Sequence, residues 1–124
     1  MKKLFKVPRY KDRVRACFMA MIEWFSRPGT WCKYVNARDR NGCATIYEAD
    51  NAVCFCLDGA MRRIDAEQCN DGTVRCGLYD LIASEEVAYI SFNDKARSIV
   101  TIRNFLNRIA KKRGWLETQN KDGL

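Results

Sequence analysis

The chain has 124 residues, 22 Lys plus Arg against 15 Asp plus Glu, seven Cys and no His. That length suits one domain around one modest core, and a composition 48% apolar and 30% charged suits a folded chain. The missing histidine excludes imidazole general bases, His metal ligands and His-based pH switching.

The net charge of +7 is unevenly spread. Residues 1–15 carry seven bases and one acid, summing to +6, and residues 95–113 carry seven bases and no acid, summing to +7. The remainder therefore sums to −6, so two basic ends surround an acidic middle. Brought together, the ends would form one positive face for phosphates or an acidic protein. Kept apart, the last-turn cations Lys111, Lys112 and Arg113 simply complement a helix dipole. The basic start has no apolar run behind it, since charges recur at Lys11, Asp12, Arg13 and Arg15. The longest charge-free apolar run, Ala16 to Ile22, is too short to cross a bilayer. The expectation is a cytoplasmic protein, in the host cytoplasm if phage-encoded, with no membrane contact.

In chain order, residues 1–9 read as a basic extension, 10–116 as a single globular domain and 117–124 as a frayed tail. Val14, Cys17, Phe18, Met21, Ile22 and Phe25 recur in steps of three and four, which predicts a helix over about 10–26 ended by Pro28-Gly29. Residues 33–37 and 43–47 flank a loop with Asn41-Gly42, a hairpin signal. A second helix is predicted from Asp50, as N-cap, to about Asp65, burying Val53, Leu57, Ala60, Met61 and Ile64. Arg62 and Arg63 are expected in solvent near its end, and Gly59 implies close approach of another backbone. A short helix is predicted over 75–83. Residues 87–92 suit a strand or a helical turn, interrupted by Asn93-Asp94. The last helix is predicted over about 98–113, with Ile99, Ile102, Phe105, Leu106 and Ile109 inward. Gly114 follows as its C′ residue, and Trp115-Leu116 is expected to fold back. The fold class is thus mainly α, about four helices with a small β element.

The ordered residues Trp31; Ala37, Asp39 and Gly42; Asp50, Ala52, Val53, Cys56, Gly59 and Ala60; and Asn93 with Asp94 resemble a pattern in a family of small bacterial and phage proteins, a domain of unknown function. The resemblance spans about residues 14–112. It implies a mainly helical domain and no established chemistry. The chain departs from that pattern in its basic start and in extra cysteines, Cys54 among them. Structural roles suffice for the pattern: Gly42 at positive φ, Asp50 as a cap, Cys56, Gly59 and Ala60 as a close-packing surface, and Asn93 and Asp94 on backbone groups before the last helix.

Chemistry needs more than these residues supply. Cys54-x-Cys56 is too short for a zinc half-site, and no other spacing suggests one, so no metal or cofactor is expected. Most cysteines read as small buried residues rather than a disulfide framework. An enzyme would need carboxylates, from Asp39, Asp50, Asp58 and Asp94, with or without Mg²⁺, or a low-pKa Cys54 or Cys56. A third reading is an oligomeric accessory protein anchored by Trp24, Trp31, Trp115 or Tyr89. The leading expectation is a non-enzymatic binding protein. Its contact residues would be Lys2, Lys3, Lys6, Arg9, Lys11 and Arg13 with Arg103, Arg108, Lys111 and Lys112, meeting an acidic protein or nucleic acid without sequence specificity.

Overall fold

The structure, a computed structural model, describes residues 1–116. The tail expected to fray, 117–124, lies outside the described residues. Five helices and a small sheet follow one another as α1 (Arg13–Phe25), β1 (Ala37–Asp39), β2 (Ala44–Thr45), β3 (Ala52–Phe55), α2 (Leu57–Gln68), α3 (Thr73–Ala83), α4 (Tyr89–Lys95) and α5 (Ile99–Lys112). The sheet is antiparallel, in the order β2-β1-β3. No described helix is long and apolar enough to cross a membrane.

Helix α1 starts where Asp12 accepts a hydrogen bond from the Arg15 N–H, and it buries Cys17, Phe18, Met21 and Phe25 as its periodicity requires. Helix α5 packs on α1 in the opposite direction. Arg103 donates to the Phe25 carbonyl at one end, and the Trp115 ring meets Phe18 edge-on at 5.8 Å towards the other. Gly114, at φ +72°, turns the chain so that the Trp115 N–H reaches the Ala110 carbonyl. Helix α3 also lies on α1, and a Cβ at Gly77 would overlap Val14.

Several expectations need correction. The second helix begins six residues later than an N-cap at Asp50 implies, because Ala52–Phe55 pairs with β1 as a third strand. Asp50 is therefore no cap; Cys56 is, its sulfur accepting the Gly59 N–H at 3.2 Å. Val53, expected in the core, is the extra residue of a register shift opposite Arg38 and Asp39, and it is exposed. The hairpin strands are shorter than 33–37 and 43–47, because residues 33–36 leave the sheet through Tyr34 at φ +72°. Asn93 and Asp94 lie inside α4, which makes the helix count five instead of about four.

Arg63 is corrected too. Expected in solvent, it is fully buried: Nε meets Glu67 at 2.8 Å, and the guanidinium donates to the carbonyls of Tyr47, Ala49 and Lys2. Glu67 in turn accepts the backbone N–H groups of Leu4 and Phe5. Residues 1–9 are consequently not an appendage. Phe5 enters the core between Trp24, 4.8 Å away, and Phe55, 5.8 Å away.

Candidate functional site

Five residues singled out in the sequence, Trp31, Cys56, Gly59, Asn93 and Asp94, meet at one place. Asn93, almost fully buried, reaches from α4 to two other segments. Its Oδ1 accepts from Trp31 Nε1 at 2.8 Å and from the Leu57 N–H at 3.0 Å, while its Nδ2 donates to the Cys32 carbonyl at 3.2 Å. The side-chain amide is therefore satisfied by tertiary partners instead of competing with its own helix. Asp94 accepts the Tyr34 N–H at 3.0 Å, bracing a bulky residue in the left-handed region. Cys56 caps α2 and donates to Asn36 Oδ1, and Gly59 lets the Asn36 carbonyl lie against α2, where a Cβ would overlap it. A cleft of about 280 Å³ opens here, bordered by Tyr34, Asn36, Cys56, Asp58, Ile90 and Asp94.

The cleft's polar groups are already engaged. Asp58 accepts from Arg62 and from the Tyr79 hydroxyl, both at 2.8 Å. Burial pushes the Cys56 thiol above its ordinary range. Burial also pushes the Tyr79 hydroxyl up, and the neighbouring Asp58 carboxylate adds to the rise. A buried thiol with a raised pKa is a poor nucleophile.

The other pattern residues lie elsewhere. Gly42 has φ +81°, and Asp39 accepts the N–H groups of Asn41 and Cys43 to close the hairpin turn. Asp50 is exposed and accepts the Lys2 N–H, which holds its carboxyl below the usual range. Asp39 and Asp50 border a depression of about 620 Å³ with Lys2, Lys3 and Arg40. Ala60 is buried on α2.

The candidate contact residues fall into two groups. Lys3 donates to the Glu67 carbonyl, Arg13 to Gln68, Arg103 to Phe25 and Lys112 to Glu85, while Lys2 is tied through its backbone to Asp50 and Arg63. Lys6, Arg9, Lys11, Arg108 and Lys111 are exposed, and no carboxylate among the described residues pairs with them. Antiparallel packing of α5 on α1 directs the end of α5, with Lys111, towards the pole where Lys11 leads into α1.

Among the described residues, three ligand-type side chains come within 4.8 Å of one another only at Asp65, Cys69 and Asp71. Asp65 is committed there to the N–H groups of Gly72 and Arg75 at the start of α3. Asp71 accepts the Thr73 N–H; a hydrogen bond from Cys69, then that N–H, bring its carboxyl down to about 2. These groups act as a helix cap. The aromatic residues considered as interface anchors are also occupied, Trp24 in the core and Tyr89 stacked 4.8 Å from Tyr79.

Sequence reasoning missed Arg63 and Glu67. Their i,i+4 spacing, with Arg63 three residues after Ala60 and Glu67 three after Ile64, was the available signal. Set against family models, curated proteins and solved structures, the chain matches none.

Proposed function

We propose that the chain is a small cytoplasmic binding protein without catalytic activity, whose partner is a polyanionic surface, nucleic acid or acidic protein. The observation that carries this reading is a contrast in how charges are used. All four carboxylates that an enzyme would draw on are bonded internally: Asp39 to turn N–H groups, Asp50 to Lys2 and Arg63, Asp58 to Arg62 and Tyr79, Asp94 to Tyr34. By contrast, Lys6, Arg9 and Lys11 before α1, and Arg108 and Lys111 on α5, face solvent with no carboxylate partner among the described residues. Solvent-facing cations without a carboxylate partner are attracted to phosphates or clustered acids at long range, without fixed geometry.

Fluorescence anisotropy with labelled single-stranded RNA, duplex DNA and polyglutamate tests it. Binding at low salt that weakens steeply between about 50 and 200 mM salt is expected for at least one probe. Failure to bind all three at low salt overturns the proposal.

A further inference from the structure

The depression of about 620 Å³ lies where residues 2–4, the hairpin turn, the approach to β3 and the end of α1 come together. The Lys2 N–H donates to Asp50 Oδ1 at 2.9 Å, and the buried Arg63 donates to the Lys2 carbonyl at 2.6 Å. The Lys2 backbone is thus fixed on both sides. In the turn, Asp39 Oδ1 accepts the N–H groups of Asn41 and Cys43, which fixes the backbone around Arg40. Lys2 and Arg40 are themselves exposed, and no carboxylate among the described residues pairs with either. Lys3, by contrast, is spent on the Glu67 carbonyl. Asp39 and Asp50 take their internal bonds on Oδ1, and among the described residues neither Oδ2 accepts a hydrogen bond. Val53, the extra residue of the β3 register shift, borders the same depression at 38% exposure. Arg27 lies over the Trp24 ring at 4.8 Å with 48% of its side chain exposed. Glu23, 3.6 Å away, offsets its charge, so Arg27 counts as a flat stacking surface and not as a free cation.

We propose that this depression binds a single ribonucleotide. Lys2 and Arg40 take the phosphate, Asp50 accepts the ribose 2′-hydroxyl, and the base lies against Val53 and the Arg27 guanidinium. Each part of the lining answers one part of that ligand. Phosphate is bound by cations that no carboxylate has already neutralised. A carboxylate with one oxygen held by the protein and the other open is the group that reads a ribose hydroxyl in dinucleotide sites. Apolar surface and an arginine plane match the faces of an unstacked base.

The mixture selects against simpler anions. Inorganic phosphate or a chain of carboxylates has no use for Val53 and meets Asp39 and Asp50 as repulsion. The volume falls within the range of about 300–1,000 Å³ usual for small-molecule sites. The site goes beyond the polyanion reading and does not rest on it, since it draws on none of Lys6, Arg9, Lys11, Arg108 and Lys111. A free ribonucleotide and one unit of an RNA strand share this chemistry, and the test separates them.

The test follows backbone amide signals of the full ¹⁵N-labelled chain by NMR during titration with AMP, GMP, CMP and UMP, and with a short RNA of about five nucleotides. The signals of Lys2, Arg40, Asn51 and Val53 should move, with a Kd below about 1 mM for at least one probe. Response to a monophosphate identifies a free nucleotide; response to the RNA alone identifies a strand. Lys2→Gln and Arg40→Gln should each weaken the responding probe at least about tenfold, the scale of a hydrogen bond to a charged group. Its 2′-deoxy form should bind about tenfold more weakly, and Asp50→Ala should bring the two forms to within about twofold. The same spectra report whether each variant is folded. No response from any probe, movement confined to other residues, or equal affinity of the ribo and deoxy forms overturns the proposal. So does binding that survives Arg40→Gln and is lost when Lys6, Arg9 and Lys11 are changed to glutamine, which places the ligand at the basic pole instead.

Discussion

Two buried polar residues, Arg63 and Asn93, hold together segments far apart in sequence, and their removal is the sharpest residue-scale test of the fold. Arg63 has no exposed surface, and Glu67 relies on its charge. Arg63→Leu leaves that carboxylate uncompensated and should cost about 3–5 kcal/mol in urea denaturation; a loss under about 1 kcal/mol, the scale of a surface ion pair, would contradict the described burial. Asn93→Ala strands the Trp31 indole N–H and the Leu57 N–H, at about 1–3 kcal/mol for each buried group left unsatisfied. Asp71 supplies a pH signature. Its folded carboxyl sits below the unfolded value, so its contribution is complete above that value and disappears as pH falls from 3.8 through about 2. Asp71→Asn should flatten the acid limb of the stability profile in that window. Gly42 and Gly59 were legible from sequence because their reasons are local or steric. Arg63 was not, since its partners come from residues 2, 47, 49 and 67.

At the scale of elements, periodicity located α1, α3 and α5 well, because each lays one apolar stripe on a single core. It failed at Asp50–Phe55, where a short apolar run satisfies either period and only pairing with β1 decides for a strand. The cleft around Asn93 was legible as an ordered set of residues but not as a place. Its walls come from α2, α4 and the loop before β1, whose convergence no local pattern encodes. The N-terminal segment carries the clearest element-scale prediction. Phe5→Ala should cost about 3–5 kcal/mol, as for a core phenylalanine; a loss under about 0.5 kcal/mol would return residues 1–9 to the status of an extension. Gly59→Ala should cost about 1–3 kcal/mol through overpacking against the Asn36 carbonyl, read by the same denaturation.

For the molecule as a whole, a net charge of +7 means little until the internal uses of charge are separated from the free ones. Arg13, Arg63, Arg103 and Lys112 are spent on the fold, whereas Lys6, Arg9 and Lys11 contribute to the field around it. Replacing those three by glutamine should leave the urea midpoint nearly unchanged, because surface substitutions shift stability by only about 0.5 kcal/mol. The decisive experiment is the salt dependence of nucleic-acid affinity for the parent chain and this triple variant, measured by anisotropy on one duplex probe. Each phosphate contact contributes about 0.9 to the slope of log affinity against log salt, so the variant's slope should be shallower by up to about 2.7. Equal slopes, with both proteins folded and binding, would contradict the assignment of the contact face to the N-terminal cations.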